Sequence, residues 1–237
     1  MTTTRTGLFY AYAKNINDDW SYRYVITFAT RDVADSWFRA VTDSVAAGYN
    51  RFAAVKRVSL QFYTHDPGAG NIPDTITDPR VAQSFRGQVS FTLLNDRDGR
   101  ILSVIPVLNY TDYTNGSSFY IRSVPQPDTY WYFDPSANIV VASRERRTKF
   151  TITIADSTRT RGTPIIGSDD VLITVGSGVN IGVANRLDQL SSSANPFPFK
   201  FSSFSTDFQI DYNVEGTART IGIIARNPNA GEKWELV

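Results

Sequence analysis

Cysteine is absent from the 237 residues of this chain, and histidine and methionine occur only once each. The missing thiols exclude disulfides, thiolate zinc sites and a cysteine nucleophile. With His65 as the single imidazole, a three-histidine metal site is impossible, and we expect neither a metal nor a cofactor. A chain without disulfides suits a reducing compartment, which favours a cytoplasmic location.

An excess of one charge is also missing, because 24 basic residues face 23 acidic ones and the net charge is +1. Nucleic-acid-binding proteins usually carry a concentrated positive field. The one dense basic run is residues 144–149, and we interpret it as an exposed charged turn or edge strand. Contact with a phosphate or an acidic glycan is the alternative for this run, and no nucleic-acid partner is expected.

Long apolar runs are lacking too. The first residues do not contain the apolar region of a signal peptide. No run approaches the ~18 residues of a membrane-spanning helix. We therefore expect a cytoplasmic protein with no membrane span.

Aromatic residues, in contrast, are plentiful, at 13% of the chain, and they favour strands. Residues 1–110 are predicted to form an α+β domain of unknown role, with one helix on an antiparallel sheet. A long irregular loop is expected at 64–80, and Asn95–Gly99 has the composition of a hairpin turn. The predicted strands of this part are 7–13, 22–29, 55–63, 88–94 and 101–108.

The helix is predicted over residues 31–47, where apolar residues recur every four positions. Thr30 suits the N-cap and Gly48 suits the C-terminal cap. Trp37 and Phe38 lie on this helix, and we expect both in the core. If they were exposed instead, they would indicate a homodimer. The stripe consists of Val33, Trp37, Val41 and Val45.

Residues 111–237 contain a pattern that repeats three times, and no helix is predicted there. The domain boundary is expected near residues 109–117. In each copy a lysine precedes a large aromatic residue at the end of a strand-like stretch. One such unit cannot bury its apolar face alone, whereas three can share a core. The residues expected in that core are Phe150, Phe201 and Trp234, together with Ile181 and Ile221.

Three such units resemble the ricin-B-like β-trefoil lectins, a family that includes fungal cytoplasmic lectins. The closing sequence Glu232–Leu236 lies where that family places Gln-x-Trp, although the glutamine position holds Thr148, Phe199 and Glu232 here. The resemblance implies a mostly β chain with a C-terminal β-trefoil, a non-enzymatic lectin that binds glycans or glycoproteins in defence. It covers the C-terminal half alone.

Sugar recognition needs aromatic faces, which stack on a pyranose, and amides or carboxylates, which satisfy its hydroxyls. Such side chains cluster most densely in the first unit. Some of the aromatic run Tyr130–Phe133 must nevertheless point into the core, because it alternates like a strand. The predicted ligand-binding residues are Asp128, Trp131, Asp134, Asn138, Asn180, Asn185, Asp188 and Asn227.

Two other classes of function remain open. A β-trefoil protease inhibitor would act through surface loops, and the irregular stretches Ser157–Ser168 and Ser191–Pro198 are the candidates. An enzyme would use a cleft in the N-terminal domain, with His65 beside Asp66 as a general base. The partner would be a protease in the first case.

Overall fold

The computed structural model describes residues 7–17, 21–94, 108, 110–184, 188–212 and 222–237. The protein is mostly β, with two sheets and few helices, so this part of the predicted fold class is confirmed. The chain divides into two compact units, Met1–Asp112 and Tyr113–Val237. The predicted hairpin turn at 95–99 and nearly all of the predicted strand 101–108 lie outside the described residues.

The described part of the first unit contains five strands, two helices and three short 3₁₀ turns. The strands are β1 (Phe9–Asn15), β2 (Arg23–Phe28), β3 (Lys56–Ser59), β4 (Phe62–His65) and β5 (Val89–Leu94). The helices are α1 (Arg31–Ala46) and α2 (Pro67–Gly70). The 3₁₀ turns are Asn50–Phe52, Ile72–Ile76 and Gln83–Phe85.

These strands form one sheet in the order β3-β4-β1-β2-β5. Strand β1 runs parallel to β4, while the other neighbours are antiparallel. The expectation of a purely antiparallel sheet is therefore wrong at this pair. The predicted strand 55–63 is instead the hairpin β3–β4, which reverses at residues 60–61, and this reversal places β4 against β1.

Helix α1 has the predicted caps. The Thr30 hydroxyl accepts a hydrogen bond from the Val33 N–H (3.2 Å), and Gly48 follows the last turn with a φ of +93°, where a residue without Cβ is unstrained. Trp37 and Phe38 are buried as expected, and the Trp37 indole N–H donates to the Thr75 hydroxyl (3.1 Å). Because both rings are buried, they do not support a homodimer.

Residues 64–80, predicted as an irregular loop, contain α2 and a 3₁₀ turn. The Asp66 carboxylate accepts a hydrogen bond from the Gly68 N–H (2.9 Å). Pro67 occupies the first helical position, where its missing N–H costs nothing. The proline and glycine content that indicated a loop thus marks the start of a one-turn helix.

The second unit has twelve strands among its described residues. They are β6 (Ser117–Phe119), β7 (Ile121–Ser123), β8 (Tyr130–Asp134), β9 (Ile139–Ser143), β10 (Phe150–Ile154), β11 (Asp170–Val175), β12 (Val179–Val183), β13 (Leu190–Ser193), β14 (Phe199–Lys200), β15 (Phe208–Asp211), β16 (Ile223–Arg226) and β17 (Trp234–Leu236). One 3₁₀ turn, Phe201–Ser205, follows β14.

The pairing of these strands repeats along the chain. Strands β6, β10, β11 and β14 pair in succession, and β17 pairs with β7. The hairpins β8–β9 and β12–β13 lie beside this series. Strand β9 also contacts β13 through Ile139 and β16 through Val141, and residue 189 bridges to residue 225. The unit consists of three thirds, β6–β10, β11–β14 with the 3₁₀ turn, and β15–β17, and one strand from each third meets the other two.

Trp131 lies at the centre of the core of this unit and has no exposed surface. Its ring centroid is 5.1–5.9 Å from those of four other aromatic residues, which come from all three thirds. Aromatic pairs at such distances favour the edge-to-face and tilted arrangements seen here. The four neighbours are Phe150, Phe204, Phe208 and Trp234.

The predicted core positions are confirmed for Phe150, Trp234 and Ile181, while Ile221 lies outside the described residues. Phe201 is only partly buried, and Phe199, two residues earlier, is buried and pairs with Val171. The prediction for Phe201 is wrong because β14 ends at residue 200. Phe199, which precedes the lysine, is the aromatic residue that points into the core.

Replacing Trp131 with alanine should lower the free energy of unfolding by about 3–5 kcal/mol, because the cavity would lie among four packed rings. Urea denaturation followed by far-UV circular dichroism measures this change. The control is Tyr212→Ala, at an exposed ring, which should change stability by about 0.5 kcal/mol or less. Equal losses in the two variants would contradict the central place of Trp131.

Candidate functional site

A polar cleft of about 440 Å³ opens on the second unit, beside the hairpin β8–β9. Its lining combines two carboxylates, two guanidinium groups, an amide, hydroxyls and an exposed aromatic ring. All of the lining residues belong to this unit. They are Gln126, Thr129, Asp134, Val141, Ala142, Ser143, Arg144, Glu145, Arg146, Tyr212 and Gly222.

Asp134 ends strand β8 at the cleft. Its Oδ1 accepts hydrogen bonds from the Ser136 hydroxyl (2.6 Å) and from the Ser136 backbone N–H (2.9 Å). These bonds hold the pKa of the Asp134 carboxyl below its usual value, since they stabilise the ionised form. The cleft therefore contains a carboxylate acceptor that is held by its own turn.

The segment after β9 brings the two arginines to the cleft. The Ser143 hydroxyl accepts from the N–H groups of Glu145 (3.3 Å) and Arg146 (3.0 Å) and so shapes the turn. The Arg146 guanidinium lies 4.2 Å from the Tyr132 ring centroid and donates to its hydroxyl (3.2 Å). Arg144 contacts the Asp128 carboxylate (3.3 Å), where both side chains are mostly exposed.

Tyr212 supplies the aromatic surface of the cleft, with 57% of the residue exposed. Gly222 lies against it. A Cβ at Gly222 would come 2.2 Å from the Ile210 side chain and 2.9 Å from the Tyr212 ring, so only glycine leaves room for this ring position. The exposed face of Tyr212 is thus the part of the lining suited to stacking.

The structure separates the site residues that were predicted in the first repeat of the second unit. Asp134 lines the cleft, and Asp128 contacts it through Arg144. Asn138 is exposed in the hairpin turn with a φ of +57°. Trp131, in contrast, has no exposed surface and offers no face to a ligand, so the prediction that it stacks on a sugar is wrong. Side chains along β8 alternate between its two faces, and residue 131 lies on the face that points into the core.

The remaining predicted residues lie elsewhere. Asn180 is half-buried on β12, Asp188 is exposed with a φ of +50°, and neither lines the cleft. The Asn227 amide donates to the Gln209 side chain (2.7 Å), and Asn185 lies outside the described residues. Sequence reasoning missed Tyr212, which has no local signal apart from its place after β15.

His65, the candidate general base, is buried in the first unit. Its Nε2 is 2.8 Å from the Tyr22 carbonyl, and its Nδ1 accepts from the Ile72 N–H (3.4 Å). The carbonyl partner fixes the proton on Nε2. Burial lowers the pKa of His65, because the charged form is poorly solvated there. Both nitrogens are engaged, so this imidazole serves as a structural group.

Among the described residues, no group of three or more histidine and acidic side chains is placed to hold a metal ion. None of the described helices is long and apolar enough to cross a membrane. Comparison with protein-family models, with curated proteins and with solved structures finds no match. The function must therefore be argued from the residues themselves.

Stability should fall as the pH drops below about 6.5, because the unfolded histidine takes up a proton more readily than folded His65. The pKa of His65 is lowered in the fold, so its contribution is complete above that pH and is lost toward the folded pKa. Urea midpoints of the wild type and of His65→Gln between pH 5 and 7 measure it. A wild-type pH dependence equal to that of the variant would contradict this assignment.

Proposed function

We propose that the second unit is a β-trefoil and that the protein is a non-enzymatic carbohydrate-binding protein. Support for the fold comes from the repeated pairing of β6, β10, β11, β14 and β17 and from the meeting of β9, β13 and β16. The buried aromatic cluster around Trp131 draws on every third of the unit. A β-trefoil would present its loops on a rigid body, where they can carry the binding site.

The observation that carries the function is the cleft, which places an ionised Asp134, the amide of Gln126 and the exposed ring of Tyr212 around one space. A carboxylate and an amide can replace the water that a sugar's hydroxyls lose on binding. An exposed aromatic face packs against the apolar side of a pyranose. Tyr212 takes the stacking role that the sequence had suggested for Trp131.

A glycan-array screen of the full-length protein tests this proposal. Tyr212→Ala and Asp134→Asn should each reduce binding by roughly tenfold, since each removes a contact worth about 1–2 kcal/mol. The matched control is Asp188→Asn, an exposed carboxylate away from the cleft. Binding that is equally weakened by the control, or absent from the whole array, would contradict the proposal.

A second candidate, a protease inhibitor, is favoured by the loop 155–169 between β10 and β11. Buried Asn115 holds this loop from within. Its side-chain N–H groups donate to the carbonyls of Arg159 and Thr160, both at 3.0 Å, and its Oδ1 accepts from the Ile154 N–H (2.8 Å). An inhibitor needs a loop that is ordered before the protease binds.

The main chain of Asn115 adds to this anchor. Its N–H donates to the Thr163 carbonyl (2.8 Å), and its carbonyl accepts from the Gly162 N–H (3.0 Å). Arg161 is exposed beside these bonds and presents a basic side chain on an anchored backbone. The other predicted loop, 191–198, begins inside β13, so only residues 194–198 connect it to β14.

Asn115→Asp should loosen this loop, because the new carboxylate faces two carbonyl oxygens where an amide had donated. We expect cleavage by trypsin after Arg159 and after Arg161 to become ~10-fold faster than in the wild type. Asn138→Asp, in an exposed turn, is the control. An unchanged cleavage rate in Asn115→Asp would contradict the anchoring role, and a blank panel of proteases in inhibition assays would remove this candidate.

A further inference from the structure

A row of tyrosine rings covered by basic side chains lies on the outside of the second unit, next to the cleft. Inward-pointing Ile121 and Trp131 place their neighbours Tyr120, Tyr130 and Tyr132 on the outer face, as alternation along a strand requires. The three tyrosines are half-buried. They form a row of rings directly above the aromatic core.

The segment 144–149 runs along this row. The Thr148 N–H donates to the Trp131 carbonyl (3.1 Å), and the Thr148 hydroxyl accepts from the Phe133 N–H (3.0 Å). These two bonds tie an otherwise irregular segment to the edge of β8. The basic side chains on either side of Thr148 are therefore held over the tyrosine rings.

Three cations cover the row. The Arg146 guanidinium is 4.2 Å from the Tyr132 centroid, and the Arg147 guanidinium is 4.3 Å from that of Tyr120 and 5.5 Å from that of Tyr130. The Lys149 ammonium is 5.4 Å from the Tyr120 centroid. We call these six residues the tyrosine–arginine strip.

None of the six residues of the strip is acidic, although Asp134 and Glu145 line the adjoining cleft. Nearby Glu235 is paired with Arg122, and Asp128 is paired with Arg144. Within the part of the chain that the structure describes, no carboxylate oxygen lies within 4.0 Å of the Arg147 or Lys149 nitrogens. Both of these side chains are exposed, so their donors face solvent and can receive an anion.

We propose that the cleft and the tyrosine–arginine strip together bind an acidic polysaccharide through its carboxylate or sulfate groups. A guanidinium stacked on a ring keeps its N–H donors in one plane, and this geometry matches the two oxygens of a carboxylate or sulfate. Arg146 belongs to both the cleft and the strip, so a chain lying in the cleft continues over Arg147.

The same geometry argues against single-stranded nucleic acid as the ligand. Nucleic-acid platforms offer open aromatic faces on which bases stack, whereas here cations cover the faces of Tyr120 and Tyr132. The net charge of +1 provides no long-range field for any polyanion, so binding has to come from local contacts. The strip is a local anion site on a nearly neutral protein.

The inference rests on the proposed carbohydrate-binding function, and binding of the full-length protein to four immobilised polymers tests both. The polymers are heparin for sulfate, polygalacturonate for carboxylate, dextran for a neutral chain and poly(dT) for a polyphosphate. We expect heparin or polygalacturonate to bind, more weakly as salt rises because the contacting charges are exposed. Stronger binding to poly(dT) than to both acidic polysaccharides would overturn the inference.

The double variant Arg147→Gln/Lys149→Gln should bind the acidic polymer roughly tenfold more weakly, which corresponds to loss of one charge-assisted contact or more. Arg147→Lys should lie between it and the wild type, because the charge remains while the planar donors are lost. Lys56→Gln/Arg86→Gln removes the same charge from exposed residues outside the strip and should bind as the wild type does.

Two results separate the failure of this inference from the failure of the function on which it rests. If the array detects neutral glycans that depend on Tyr212 while neither acidic polymer binds, the inference is overturned and the carbohydrate-binding function stands. If no glycan of either kind binds, both are overturned. If the strip and control double variants lose the same amount of binding, the binding is general charge attraction. That result would also overturn the inference.

Discussion

Packing around Trp131 is the interaction on which the second unit depends. Four aromatic rings from all three thirds of the unit surround it within 5.9 Å, and none of the three could bury its apolar face alone. Because the strands that carry these rings alternate in and out, burying Trp131 also fixes which side chains face solvent. Tyr130 and Tyr132 are outside for the same reason that Trp131 is inside.

The candidate binding surface is thus the outer side of the strands that build the core. The segment 144–149 connects β9 to β10 and lies along β8, where Thr148 ties it to the backbone. Arg146 and Arg147 of this segment consequently lie over tyrosine rings. A rigid placement of this kind lowers the entropy lost on binding, which suits the polar cleft to recognition.

Local patterns in the sequence predicted the local structure well. Helix α1, its Thr30 cap and the buried Trp37 follow from spacing and cap chemistry, which act within a few residues. Features that depend on distant pairing were missed. The parallel pair β1–β4 follows from the hairpin after the helix, and the inward place of Phe199 follows from its register with Val171. The cleft joins Gln126 to Tyr212, which are far apart in the sequence.

Binding of a saccharide at the cleft and along the strip beside it can be mapped residue by residue. The measurement is a titration of isotope-labelled full-length protein with short acidic oligosaccharides, followed by backbone amide NMR. Shift changes should concentrate at Asp134, at residues 142–149 and at Tyr212, and the first unit should stay unchanged. Changes confined to the first unit, or to the loop 155–169, would contradict binding at the cleft and the strip.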